Sequence, residues 1–122
     1  MDHKTNIHEL KELIKEFCEK RDWDQYHAPK ELAIGISTEA AELLEIFRFK
    51  DEKQQKELFE NPKIKEHIEE EVADTFYFIL RFCQMNNINL TEVLMKKLEK
   101  NNEKYPIDKI KGSNKKYTEL EE

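Results

Sequence analysis

Glycine occurs twice and proline three times in this chain, too few turn formers for the hairpins of an all-β fold. Cysteine is equally scarce. Cys18 and Cys83 lack any metal-type spacing and fall at apolar positions of expected helices, as small core residues in a reducing compartment do. No apolar run is long enough to cross a membrane, and Met1 to Asn6 carry no apolar signal region. A cytoplasmic protein with no membrane partner is therefore expected. Basic excess is missing too. A net charge of −6 argues against a nucleic-acid polymer as partner, because nothing offsets phosphate repulsion overall. It says nothing against one small phosphorylated ligand held through a metal.

What the chain has in quantity is charge. Charged residues make up 39% and hydrophobic residues 38% of 122 positions. That balance suits a single helical domain spanning 1–122, with one core and heavily solvated outer faces. Asn6, with Glu9 three residues on, opens a first helix. Its apolar stripe is Ile7, Leu10, Leu13, Ile14, Phe17 and Cys18, and it should stop near Asp22. After an aromatic connection, Pro29 starts a second helix running to about Phe47, with Leu32, Ile36, Ala40, Leu43 and Phe47 inward. Positions 48–60 read as a charged loop holding a short helix, anchored by Leu58 and Phe59. Asn61-Pro62 starts a third helix to about Gln84, with Ile64, Ile68, Val72, Phe76, Ile79 and Cys83 inward. Asn89, with Glu92, opens a fourth through Val93, Leu94 and Leu98 to about Lys104, where Tyr105-Pro106 ends it. Positions 107–122 are polar and expected to be extended. The expectation is an all-α four-helix bundle.

The chemistry centres on carboxylates. Glu39 and Glu42 leave one face of the second helix, and Glu71 and Asp74 repeat the spacing on the third. Packed side by side, those helices would gather four carboxylates. At about 6 Å and an effective dielectric near ~20, each like-charged pair costs roughly 3 kcal/mol. Protons, wide exposure or a cation must relieve that repulsion, and an oxygen-only ligand set suits Mg²⁺ or Mn²⁺. The competing reading is a solvated acidic face on a non-enzymatic helical interaction protein. A di-iron site does not fit, since such bundles need Glu-x-x-His on two helices, and His67 precedes Glu71 instead.

Three other features have two readings each. Gly35 lies one turn before Glu39, marking either close helix contact or room for a ligand. Lys97, Asn101 and Lys104 share one face of the fourth helix, as a solvated stripe or a cationic wall for phosphate. Trp23 is a core aromatic or a platform for a flat ligand. The aromatics Phe47, Phe49, Phe59 and Phe82 exceed what one subunit of this size can cover, so a homodimer or homotetramer is expected.

Taken together, Glu39-x-x-Glu42 and Glu71-x-x-Asp74 resemble the metal motif of the MazG-like all-α nucleoside triphosphate pyrophosphohydrolases. Four more stretches are similar to the dCTP pyrophosphatase, or integron-type, branch: Arg21 to His27, Phe47-Arg48-Phe49-Lys50, Lys97 to Pro106, and Lys116 to Leu120. The motifs keep the family's order from about Ile7 to Leu120. The resemblance implies a Mg²⁺-dependent oligomer in which water attacks the α-phosphorus of a nucleoside triphosphate, releasing monophosphate and pyrophosphate as nucleotide-pool housecleaning. It implies Glu39, Glu42, Glu71 and Asp74 as metal ligands, with Glu39 or Glu42 also activating water. Lys97, Asn101 and Lys104 would take the phosphate side, Lys116 and Tyr117 a closing tail, and Trp23 the base side, with Phe49 and Phe78 also touching substrate. Ile14, Phe49 and Phe78 stand where the animal enzymes carry histidine, tryptophan and tyrosine. These departures leave the metal chemistry intact and open the base to dCTP, a modified pyrimidine, dUTP or another nucleotide. The resemblant phosphate chemistry needs no glycine-rich loop, and the chain has none.

Overall fold

A computed structural model describes residues 1–115 and 118. Among the described residues there are six helices, one 3₁₀ turn and no strand, so the all-α class holds. In chain order they are α1 (Ile7–Glu19), the 3₁₀ turn Asp24–Tyr26, α2 (Pro29–Phe47), α3 (Glu52–Leu58), α4 (Pro62–Met85), α5 (Leu90–Lys104) and α6 (Ile107–Ile110). Contacts group the chain into two compact units, Met1–Ile88 and Asn89–Glu122. The longer helices match the four expected from periodicity. Two boundaries differ: α1 ends three residues early, where Asp22 turns with φ 55°, and the polar stretch after Pro106 holds α6.

Local hydrogen bonds explain why the helices start where they do. The side chain of Asn6 accepts from the Glu9 N–H at 2.8 Å, and that of Asn89 from the Glu92 N–H at 3.0 Å. Asn61 accepts from Lys63 and Ile64, with Pro62 filling a position whose N–H has no partner inside a helix. At α3, Asp51 and Gln54 form a reciprocal capping box.

Within the first unit, α2 and α1 both pack on α4. Cys18, Leu32, Ile68, Leu80 and Cys83 are buried there together with two charged residues, Glu71 and Arg81. The expected inward stripe of α4 holds at Ile68 and Cys83, which are buried, and at half-buried Ile64 and Ile79, but departs in its middle. Val72 and Phe76 are exposed, while Ile68, Glu71, Thr75 and Phe78 are the more covered residues. Spacings of 3, 4 and 3 keep that second set on one helical face. Apolar periodicity alone therefore misplaces Val72 and Phe76, because it gives no inward place to a carboxylate. On α1, Leu13 and Phe17 are exposed as well, and so is Ala40 on α2.

Arg81 is fully buried, and each of its three nitrogens has an acceptor. Its Nε donates to Nδ1 of His27 at 2.9 Å, Nη1 to Gln84, and Nη2 to the carboxylate of Asp24. A buried guanidinium is tolerable only when paired and hydrogen-bonded. Here it ties the 3₁₀ turn, and with it the chain just after Trp23, to α4. Burial and the nearby Arg81 charge both hold the pKa of His27 down.

In the second unit, Val93, Leu94 and Leu98 of α5 are exposed. Asn101 is half-buried, and its carbonyl accepts from the Tyr105 N–H at 2.8 Å, closing the helix.

Candidate active site

Helix packing brings three of the four expected ligands into one group. Glu39 and Glu42 from α2 and Glu71 from α4 each offer a carboxylate oxygen, all within 4.8 Å of one another. Glu71 is only 8% exposed. Oε2 of Glu39 and Oε2 of Glu71 are sealed from solvent and have no hydrogen-bond partner in the protein. Asp74 is exposed and stands outside the tight group, yet its charge still acts on Glu39.

That crowding has an electrostatic signature. The Glu39 carboxyl is pushed up to about 7, first by burial, then by the closeness of the Glu71 and Glu42 carboxylates, with the charge of Asp74 adding to it. Below about pH 7 the group thus keeps a proton in place of a countercharge. Partnerless buried acceptors are costly, and a divalent cation among them would remove both the repulsion and the need for the proton. Every donor is a carboxylate oxygen, the set that hard cations take. The three residues fit a metal ion.

Gly35 resolves to close packing. A Cβ built there would lie 2.6 Å from ring carbons of Phe78, so the absent side chain lets the Phe78 ring meet α2 one turn before Glu39. Thr75 also serves this stretch, its hydroxyl donating to the Glu71 carbonyl at 2.8 Å. Trp23 is 38% exposed and meets Phe17 edge-on with centroids 5.8 Å apart. It is at once packed and accessible. Phe49 is 87% exposed, with the Arg48 guanidinium 4.6 Å from its ring centroid. Lys97 and Lys104 lie exposed on α5. Lys116 and Tyr117 lie outside the described residues.

With this geometry in view, known proteins are informative. Residues 34–120 match the MazG-like family. The chain belongs to that family. Among curated proteins it is similar to dCTP pyrophosphatase 1 of Rattus norvegicus, 28% identical over 114 residues, covering 93% of this chain and 67% of the relative. The Homo sapiens protein of the same name is 27% identical over the same length and the same shares. A crystal structure of a pyrophosphatase from Archaeoglobus fulgidus is 41% identical, with a TM-score of 0.78 over 85% of this chain and 95% of that one. The matched stretch of the MazG-like family holds all four acidic motif residues.

Two features of the site were not read from sequence as functional. His67 does not fit a di-iron motif, yet its Nε2 lies 3.3 Å from Oε1 of Glu71. Arg81 carries no local signal for its two distant partners, His27 and Asp24, which lie 54 and 57 positions away.

Proposed function

We propose that this nucleotide pyrophosphohydrolase of the MazG-like family uses Mg²⁺ to convert a nucleoside triphosphate and water into monophosphate and pyrophosphate. Its substrate is dCTP or a related pyrimidine deoxynucleotide, and its role is clearing a nucleotide pool. The observation that carries this reading is the pair of buried, partnerless oxygens, Glu39 Oε2 and Glu71 Oε2, inside a three-carboxylate group. Similarity to the dCTP pyrophosphatases supports the choice of base.

Glu39, Glu42 and Glu71 would hold the ion, with Asp74 contributing from the edge; Mn²⁺ would serve the same donors. The bound ion supplies positive charge where the triphosphate and its transition state are most negative. Glu39 or Glu42 orients the attacking water and takes its proton. To Lys97, Asn101 and Lys104 we assign the leaving phosphates, to Lys116 and Tyr117 the closing tail, and to Trp23, Phe49 and Phe78 the nucleoside, on the family resemblance. Holding reactants in line supplies much of the remaining rate.

A second copy of the chain completes the enzyme. Leu13 and Phe17 lie exposed one turn apart on α1, as do Val72 and Phe76 on α4, and apolar surface of that kind is usually covered in a homodimer or homotetramer. Among the described residues no helix is long and apolar enough to cross a membrane.

The test is pyrophosphate release across a panel of ribo- and deoxynucleoside triphosphates with Mg²⁺. The expected result is turnover favouring pyrimidine deoxynucleotides, lost by orders of magnitude in Glu42→Gln with helical content retained. No pyrophosphate from any triphosphate would overturn the reading.

A further inference from the structure

The two oxygens of Glu71 have different surroundings. Oε2 is sealed from solvent and has no partner in the protein. Oε1 lies 3.3 Å from Nε2 of His67, one turn earlier on α4. The terminal torsion of a glutamate is broad, so repulsion from Glu39 and Glu42 would rotate an unanchored carboxylate. His67 meets Oε1 from outside the group of three carboxylates. Its side chain is 56% exposed, and it borders a cavity of about 570 Å³ that Glu42 also lines. The imidazole thus stands at the solvent edge of the site while Glu71 stays inside it.

We infer that His67 is a positioning residue for Glu71, its Nε2–H holding Oε1 so that Oε2 stays free for the metal ion. This deepens the metal reading and rests on it. A ligand carboxylate held by an outer hydrogen-bond donor keeps its orientation, and losing such a donor typically weakens metal affinity about 10- to 100-fold. Because His67 is largely exposed, the lower end applies. The arrangement also explains why the histidine precedes the glutamate: the ring supports the ligand and is not one itself.

The test measures Mn²⁺ binding by electron paramagnetic resonance, with no nucleotide present, for wild type, Glu42→Gln, His67→Ala and His67→Gln. The glutamine amide reaches about as far as Nε2 and donates a hydrogen bond. Expected are tight binding by wild type, loss in Glu42→Gln, about tenfold weaker binding in His67→Ala, and recovery to within about threefold in His67→Gln. In steady-state assays His67→Ala should need more Mg²⁺ for half-saturation yet keep its turnover at saturating Mg²⁺. A structural role would not separate those two quantities. Equal Mn²⁺ affinity in wild type and His67→Ala would overturn the inference while leaving the metal reading standing. Equal weakening in the alanine and glutamine variants would overturn the donor role. Wild type without Mn²⁺ affinity would remove the metal reading and this inference together.

Discussion

The ring of Phe78 occupies the space that a side chain on Gly35 would fill, with 2.6 Å between a Cβ built there and the nearest ring carbons. The contact sits one turn from Glu39 on α2 and a little less than two from Glu71 on α4, so it sets how near the two acidic pairs come. Gly35→Ala gains about 1 kcal/mol in helix propensity and loses about 1–3 kcal/mol to overpacking. The expected outcome is lower thermal stability together with weaker Mn²⁺ binding. Gly35→Ala with Phe78→Leu should recover part of both, as a double-mutant cycle would show. Equal Mn²⁺ affinity in the single variant would mean that this contact does not set the carboxylate spacing.

The raised Glu39 pKa fixes a sign for pH dependence. Its ordinary value is 4.5 and its folded value about 7, so between those limits the folded protein binds more protons than the unfolded chain. Stability of the metal-free protein therefore falls as pH rises from about 4.5 to 7, then levels off. Added Mg²⁺ competes with that proton, so its stabilisation should grow over the same window. Calorimetric melting at a series of pH values, with and without Mg²⁺, checks both slopes. In Glu39→Gln both should flatten.

Phe49 has φ 63° between Arg48 at φ −58°, ψ 137° and a Lys50 N–H that donates to the Phe47 carbonyl at 3.2 Å. This is the place in a type II turn that favours glycine, and a left-handed conformation costs a bulky residue about 1–2 kcal/mol. An 87% exposed ring returns little of that through burial. Phe49→Gly is expected to leave stability unchanged or raise it by up to about 1 kcal/mol while raising the KM for nucleotide. Loss of stability without a change in KM would assign the ring to packing instead.

Asp24→Ala removes one partner of the buried Arg81 guanidinium. Breaking such a pair costs about 3–5 kcal/mol, and here the low end applies because Asp24 is half exposed while His27 and Gln84 remain. Urea denaturation measures the loss. A change below about 0.5 kcal/mol would place the pair among ordinary surface contacts.

Local signals located most of the helix boundaries because they are local events: Asn6, Asn61 and Asn89 cap with their own side chains. The acidic pairs were legible for the same reason, since an i, i+3 spacing survives any packing. Long-range geometry was not legible. Hydrophobic periodicity placed Val72 and Phe76 inward, whereas the buried stripe runs through Glu71 and Thr75, because the site takes up inward positions with polar groups. Asp74 matched Glu71 in pattern, but only the packed helices show it standing apart from the tight group. The two readings of Gly35 differ only in what lies across from it, which is the Phe78 ring from a separate helix. The burial of Arg81 leaves no local mark, since two of its three partners, His27 and Asp24, are far away in sequence.

The position of bond cleavage tests the central claim most directly. With the acidic group acting at the α-phosphate, water attacks the innermost phosphorus and pyrophosphate leaves. Hydrolysis of dCTP in ¹⁸O-labelled water with Mg²⁺, analysed by mass spectrometry, should put the label in the nucleoside monophosphate and none in pyrophosphate. Label in inorganic phosphate, or accumulation of nucleoside diphosphate, would contradict it.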